Sequence, residues 1–302
     1  MEHTREEWPA LPLEGWRDTK ETLHRWCQVV GKVRMALAPP RNHWWHVTLL
    51  PATRGFTTGP MPCGGSRRAE IELDLVAHRR VVRTGDGASR ELALSDGVSV
   101  AAFHDSLADD LAALGVAVEI DPRPFDLGEG PPFHEDAGHA SYDAAAVERW
   151  WTVLRQVEGA LSRFAGGFVG KTSPIQLFWH SFDLAMTRFS GRRAPAREGL
   201  DPVTAEAYSH EVVSFGVWAG DDRIPAPALY SYTAPEPDGL TGHPLAPAAA
   251  RWQTGPTGSL ALLMWEDVRT APDPEAAMAE FLESAYRAGA SAAGWDPDLE
   301  ER

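Results

Sequence analysis

Apolar residues recur at helical spacing in four segments of the chain. Residues 18–37 follow an i, i+3, i+4 pattern, Asp18 can cap the first turn, and Pro39-Pro40 stops the run. Residues 142–164 repeat the same apolar stripe, and residues 99–114 and 274–288 have the same periodicity. The pattern therefore predicts four helices.

Shorter runs with alternating or continuous apolar character predict strands between these helices. Residues 79–83 and 90–94 flank Gly85-Asp86-Gly87, which is a hairpin signal. The other predicted strands are residues 45–50, 69–76, 116–120, 175–189, 212–218, 229–233 and 260–265.

Two stretches of the sequence resemble each other in the same order. Residues 23–37 align without gaps on residues 147–161 at an offset of 124, and residues 45–54 align on 179–188 at an offset of 134. The repeat predicts an α+β fold of two pseudo-repeated helix/strand units, with mostly antiparallel sheets packed against helices. We expect units at residues 1–122 and 142–302 joined by a connector at 123–141, or one compact pseudo-symmetric domain.

Composition narrows the class of protein. The 302 residues carry a net charge of −15, which argues against nucleic acid or an anionic membrane surface as the partner. Cys27 and Cys63 have neither a disulfide nor a zinc spacing, and no run of 18 apolar residues is present. We therefore expect a cytoplasmic protein. No motif identifies a cofactor or an oligomeric state.

Five runs of residues resemble the bacterial family catalogued as domain of unknown function 5996. They are residues 42–47, 139–143, 181–195, 208–212 and 294–296, and the similarity extends from about Trp8 to Asp296. The resemblance implies no activity, cofactor or substrate. The chain departs from the family pattern at His134, where Asp is frequent, and at His180, where Gly is frequent.

The candidate catalytic residues are His210, Glu211, Asp183 and Arg188. His210 and Glu211 are neighbours on a predicted strand and point to opposite faces unless a bulge intervenes. His210 can act as a general base or ligand, or as a hydrogen-bonded buried His. Asp183 lies in an apolar strand and needs a partner, for which Arg188 is the first candidate.

Basic and aromatic residues suggest a site for a small anionic or aromatic ligand. Arg54 and Arg188 are aligned by the repeat, so they can converge on an anion, or each can bind a carboxylate in its own half. Arg192, in Gly191-Arg192-Arg193, adds to the positive charge in the segment that follows Arg188. Trp45 and Trp179 are the aligned members of a set of 12 Trp residues, which can line a pocket or fill the junction between sheets.

The sequence gives weaker support for a metal site or a phosphate-binding site. His139 and His210 are the candidate metal ligands, with His139 in the dense cluster at residues 134–139. His43 and His46 are three residues apart and share a site only if the segment before Trp45 turns. Residues 166–172 end in Gly-Lys-Thr, but Ala165 stands where a phosphate-binding loop needs Gly, so we reject that motif.

Two functions fit these observations. The first is a small-molecule enzyme, metal-assisted in one version, in which His210, Glu211, Asp183, Arg188 and His139 converge in a cleft between the two halves. The second is a non-catalytic ligand-binding or scaffold protein in which the duplicated Trp and Arg positions hold the fold.

Overall fold

The computed structural model describes residues 7–196, 199–256 and 258–296 of the chain. These residues contain six α-helices and two antiparallel sheets of six strands each. The α+β class predicted from the sequence is therefore confirmed. The domain boundaries stay a prediction.

The first half of the chain contains a long helix, the first sheet and a second helix. Helix α1 is Arg17–Leu37 and helix α2 is Val100–Ala113. Between them lie β1 Leu50–Ala52, β2 Gly55–Thr57, β3 Met61–Pro62, β4 Arg68–Asp74, β5 Arg79–Thr84 and β6 Ser89–Ala93. The strands follow the order β1-β2-β4-β5-β6, with β3 paired to β4.

The second half also begins with a long helix and contains six strands, but a short helix interrupts the strands and two helices follow them. Helix α3 is Ala144–Gly166, and α4, α5 and α6 are Pro202–Ala207, Trp265–Arg269 and Pro274–Ala292. The strands are β7 Gln176–Phe178, β8 Asp183–Arg193, β9 His210–Trp218, β10 Ala228–Ala234, β11 Arg251–Gly255 and β12 Gly258–Met264. They form a sheet in the order β11-β12-β10-β9-β8-β7.

Helices α1 and α3 form where the apolar periodicity predicts them. Their aligned residues Trp26 and Trp150 are both completely buried. The N-cap of α1 is Trp16, so Asp18 lies inside the first turn, where its carboxylate faces the positive end of the helix dipole. The apolar stripe, rather than a capping side chain, therefore stabilises the start of α1.

Three strand predictions are wrong. Residues 45–48 form turns and bends because the two preceding residues, His43 and Trp44, have left-handed backbone angles of φ 56° and 60°. The predicted strand 175–189 is broken at residues 179–182 by a turn in which Phe182 has φ 58°. Residues 116–120 pair with no described strand, and the alternating pattern there reflects the packing of Val116, Val118 and Ile120 against the core.

A seam of buried contacts joins the two halves. The backbones of Leu49 and Leu177 exchange two hydrogen bonds, of 3.0 and 2.8 Å. The indole Nε1 of Trp179 donates to the carbonyl oxygen of Val47 at 2.6 Å, and its ring lies against Gly31 of α1. Because these contacts lie in one continuous apolar core, each half is packed against the other.

The connector at 123–141 is held by side chains of α1. The Gln28 amide donates to the Phe125 carbonyl at 2.9 Å and accepts from the Phe125 N–H at 2.8 Å. Lys32 Nζ donates to the Arg123 carbonyl at 2.6 Å. These hydrogen bonds satisfy backbone carbonyl and N–H groups of the connector and hold it against α1, although its sequence has no periodicity. No helix in the described part of the chain is long and apolar enough to cross a bilayer.

Replacing Gly31 by Ala is expected to destabilise the protein. A Cβ at Gly31 falls 2.2 Å from Cδ1 of Trp179, so the indole must move out of a tightly packed position. Overpacking of this kind costs about 1–3 kcal/mol of unfolding free energy, measured by chemical denaturation.

Gly159→Ala in α3 is the matched control. Its Cβ meets only Arg163 Nη1 at 3.6 Å, so Ala should stabilise the helix by about 0.5–1 kcal/mol. Equal effects of the two substitutions on unfolding free energy would contradict the close packing of Trp179 on α1.

Candidate functional site

A strained turn presents His43 to the second sheet. Residues Asn42–Trp44 form a 3-10 turn in which both His43 and Trp44 are left-handed. Such backbone costs about 1–2 kcal/mol for each residue that is not Gly. The turn nevertheless buries the His43 ring against Phe189 of β8, with ring centroids 4.7 Å apart. Strain concentrated on a polar residue is typical of a functional position.

Backbone pairing places Lys171 beside the same aromatic residue. After α3 the chain runs along β8, with the Phe189 N–H donating to the Lys171 carbonyl at 3.0 Å and the Ser173 N–H donating to the Thr187 carbonyl at 2.8 Å. This register fixes Lys171 as the neighbour of Phe189. The Lys171 side chain extends over the Phe189 ring, while part of it stays exposed to solvent.

Lys171 and His43 are in direct contact. Lys171 Nζ lies 2.7 Å from His43 Nε2, and His43 Nδ1 lies 3.3 Å from the carbonyl oxygen of Ala207, at the end of α4. A carbonyl oxygen only accepts, so Nδ1 carries the proton of the neutral ring. Nε2 is then the acceptor for the Lys171 ammonium group, and the imidazole is oriented as a base towards the amine.

Two aromatic rings lie beneath the amine. Lys171 Nζ is 4.7 Å from the centroid of the Phe189 ring and 5.3 Å from that of Trp45. These distances allow cation–π attraction, which contributes about 0.5–1 kcal/mol at an exposed position. The rings hold the long Lys171 side chain in one place and exclude water from one side of Nζ.

His210 lies next to this pair because the sheet is irregular there. Five residues of β8, Phe189 to Arg193, lie opposite three residues of β9, and Gly191 takes the positive φ of 83° that the irregularity needs. Arg193 then lies opposite His210, whose ring is 5.6 Å from that of His43. This arrangement brings a second imidazole and a guanidinium to the Lys171 region.

The orientation of the His210 ring follows from Ser209. The Ser209 hydroxyl donates to the Glu206 carbonyl at 2.8 Å, so its oxygen accepts from His210 Nδ1 at 3.0 Å. Nε2 therefore has no proton in the neutral ring, and it hydrogen bonds to no described residue. We call the group formed by Lys171, His43, His210 and Arg193, with the rings of Trp45 and Phe189, the Lys171 site.

The electrostatics of the Lys171 site are uniformly positive. Burial and then the Lys171 charge lower the pKa of His43 and that of His210, and Arg193 adds to the effect on His210. Burial lowers the pKa of Lys171 itself. Within residues 7–196, 199–256 and 258–296, no carboxylate pairs with Lys171, His43 or His210. In a chain of net charge −15, this is an environment suited to an anion.

Glu211 and Arg192 are placed together, away from His210. Glu211 Oε2 accepts from Arg192 Nη2 at 2.7 Å and from Ser190 at 3.0 Å. Arg192 also donates to the carbonyls of Ala293 and Gly294 after α6. The two residues therefore connect the β8–β9 ladder to the end of α6. The guanidinium of Arg192 forms its hydrogen bonds with protein groups.

Asp183 does not share a site with His210. Asp183 pairs with Trp218 at one end of the ladder and His210 with Arg193 at the other, about 26 Å apart along the strand. The buried carboxylate of Asp183 accepts hydrogen bonds from the hydroxyls of Ser181 and Tyr230. The expected pairing of Asp183 with Arg188 is thus corrected, because hydroxyl groups satisfy the carboxylate.

Arg54 and Arg188 do not converge on an anion. Arg54 Nε lies 3.0 and 2.9 Å from the two oxygens of Asp74 in the first sheet. Arg188 Cζ lies 3.4 and 4.4 Å from the ring centroids of Phe164 and Tyr286, and the guanidinium donates to the Phe164 carbonyl. Each guanidinium therefore stabilises its own half of the chain.

The two candidate metal ligands have separate surroundings. His139 Nδ1 lies 2.8 Å from Asp136, a carboxylate that also faces Arg25, whereas His210 lies by His43 and Lys171. One ion cannot contact both rings. In the described ranges, no three His, Cys, Asp or Glu side chains are grouped as metal ligands.

His46 and Trp179 also lie outside the Lys171 site. The segment before Trp45 does turn, but His46 Nδ1 accepts from the Arg41 N–H at 3.2 Å and is not part of a His43 pair. Trp179 is buried in the seam, while its aligned residue Trp45 is half-exposed in the site. The aligned tryptophans therefore have different roles.

Two hollows in the described structure lie elsewhere. One, of about 470 Å³, is bounded by β1, Phe56, Trp151 and Leu184, so residues of both halves line it. The other, of about 580 Å³, lies among acidic residues at the start of α1. Lys171, His43 and His210 line neither of them.

Sequence reasoning missed Lys171 and underrated His43. The sequence draws attention to Lys171 only within the Gly-Lys-Thr of a rejected phosphate loop, and to His43 only as a metal ligand. Indirect signals exist, because His43, Phe189 and His210 all lie within runs that carry the family resemblance, and Lys171 is one of three lysines in the chain. Their convergence depends on strand register.

A family model described as "Family of unknown function (DUF5996)" matches residues 8–302. No curated protein matches the chain. No solved structure matches it either.

Replacing Lys171 by Met is expected to raise the pKa of His43. The substitution removes a positive charge 2.7 Å from Nε2, so the imidazolium form becomes less unfavourable and protonation moves to higher pH. Nitrogen-resolved NMR of the imidazole rings would measure this shift and would also report the Nδ1–H tautomer at neutral pH.

Lys20→Met removes a charge that pairs with Glu21 on α1, and serves as the control. It should leave the His43 titration unchanged. A His43 pKa that is identical in the wild type and in Lys171→Met would contradict the contact.

Proposed function

Because the chain belongs to the DUF5996 family, whose function is unknown, we propose its function from geometry: it binds a small anionic ligand at the Lys171 site. The observation that carries the proposal is the 2.7 Å contact of Lys171 Nζ with an oriented His43 on an aromatic floor. The site joins residues of both halves, as the inter-half cleft requires. The ligand places its anionic group near Lys171 and its flat or apolar part against Trp45.

The hydrogen-bond donors of the site suit this ligand. His43 takes one of the three N–H donors of Lys171, and neither of the others is hydrogen bonded to a described residue. His210 gains a second donor at Nε2 when it is protonated. An anion that approaches Lys171 stabilises that protonated form, so ligand binding raises the pKa of His210.

The enzymatic and the non-catalytic alternatives share this site. A His oriented as a base against an amine favours the enzyme, since a purely binding site gains nothing from a base in that position. The metal-assisted version has no support among the described residues. Nucleic acid and membrane partners remain disfavoured by the net charge of −15.

We also infer a cytoplasmic setting and an internal duplication. The free thiols of Cys27 and Cys63 support a reducing compartment. The duplication is supported by Trp26 and Trp150, which are equally buried on aligned helices, each followed by a six-stranded antiparallel sheet.

Benzoate is a suitable first probe, with benzamide as its neutral counterpart. We expect benzoate to shift the His210 ring signals in NMR in a saturable, salt-sensitive way, and benzamide to have a much weaker effect. Lys171→Met or His210→Gln should each weaken benzoate binding by about tenfold, equivalent to about 1.4 kcal/mol.

Arg90→Ala is the control, because Arg90 is an exposed cation on β6, in the other sheet. It should leave the dissociation constant for benzoate unchanged. Equal binding of benzoate and benzamide, or unchanged affinity in Lys171→Met, would contradict an anion site here.

A further inference from the structure

The three lysines of the chain have different partners. Lys20 Nζ lies 3.1 Å from the Glu21 carboxylate, and buried Lys32 Nζ donates to a backbone carbonyl at 2.6 Å with Asp121 at 3.6 Å. A carboxylate stabilises the ammonium form of an amine. Lys171 contacts an imidazole nitrogen instead, so it alone has a neutral proton acceptor in direct contact.

We propose that Lys171 is an imine-forming amine that condenses with a small aldehyde or ketone bearing an anionic group, while His43 takes up and returns the proton. The inference rests on the proposed anion site and names the chemical class of its substrate. It depends on the 2.7 Å Lys171–His43 contact and on the fixed tautomer of His43.

The reaction balances without any further reactant. The Lys171 ammonium gives one proton to His43 Nε2, and the amine lone pair forms a bond to the carbonyl carbon. The π electrons of the carbonyl move to oxygen, which takes a proton from the nitrogen to give a carbinolamine. His43 returns its proton to the hydroxyl group, the C–O bond breaks, water leaves, and the nitrogen lone pair forms the protonated imine.

The surroundings of the Lys171 amine favour imine formation because they supply a base, position Nζ and leave access for a carbonyl compound. The backbone carbonyl of Ala207 holds Nδ1–H of His43, so Nε2 is the basic atom that faces Nζ. The Phe189 and Trp45 rings position Nζ, and the exposed side of Lys171 lets a carbonyl compound approach. Burial also lowers the pKa of Lys171, which increases the fraction of free amine.

His210 and Arg193 would select the substrate. They lie opposite each other across β8 and β9, and the His210 ring is 5.6 Å from that of His43, so a carboxylate or phosphate on the carbonyl compound has a cationic neighbour close to the amine. The substrate class is therefore a small 2-oxo acid or an anionic aldehyde, rather than a neutral sugar or ketone.

Reductive trapping with glyoxylate and cyanoborohydride tests the proposal. The full-length protein is treated briefly, and peptide mapping by mass spectrometry separates Lys171 from Lys20, Lys32 and the terminal amine. We expect Lys171 to be alkylated at least about tenfold faster than Lys20 at neutral pH, because His43 contacts the Lys171 amine as a base. Glycolaldehyde, which has no anionic group, should show a smaller preference for Lys171 than glyoxylate does.

Two variants separate the roles of the residues. His43→Gln keeps a hydrogen-bonding side chain and should slow trapping at Lys171 by about a hundredfold, the lower range for loss of general acid–base catalysis. Lys20→Arg should leave the Lys171 rate unchanged. The pH profile of Lys171 trapping in the wild type is a second measurement that needs no substitution, and it should lie at lower pH than that of an ordinary lysine because burial lowers the pKa of Lys171.

The outcomes distinguish this inference from the proposed function. Equal trapping of Lys171 and Lys20 with coincident pH profiles overturns the imine chemistry, and benzoate binding that persists then leaves the anion site standing. If the wild-type protein shows neither preferential trapping at Lys171 nor benzoate binding, the imine chemistry and the anion site are both overturned. Preferential trapping by glyoxylate that depends on His43 supports both.

Discussion

The seam between the two halves is the constraint on which the candidate site depends. The indole of Trp179 packs against Gly31 of α1 and donates to the Val47 carbonyl at 2.6 Å. Leu49 and Leu177 form hydrogen bonds with each other through their backbones. These contacts fix the position of the backbone at residues 47–49 and so define where the preceding turn can lie. The left-handed backbone at His43 is tolerated because its buried ring is anchored on the second sheet.

Charge is distributed unevenly over this acidic chain. Most cations are neutralised nearby, as in the pairs of Arg54 with Asp74 and Arg192 with Glu211. At the Lys171 site, burial instead lowers the pKa values of Lys171, His43 and His210, and the charge of Lys171 lowers those of both histidines further. A bound anion stabilises the protonated forms of these groups. The electrostatics of the fold are in this way connected to ligand binding.

Residues aligned by the repeat have taken different roles. Trp179 is a structural residue of the seam, whereas Trp45 forms the floor of the candidate site. Arg54 binds a carboxylate, whereas Arg188 lies among aromatic rings. Positions that align in the sequence meet different neighbours in the fold, so the alignment does not predict a shared role for them.

Periodicity and composition by themselves determined the long helices, most strands and the antiparallel α+β class, because these depend on local burial patterns such as the stripe around Trp26 and Trp150. The sequence also indicated His210, Trp45 and an anionic ligand. Only the tertiary structure decided that His43 and Lys171 meet, and that Asp183 lies at the far end of the ladder. The first contact joins residues 128 positions apart, and the second relation depends on the register and the bulge between β8 and β9, neither of which leaves a periodic signal in the chain.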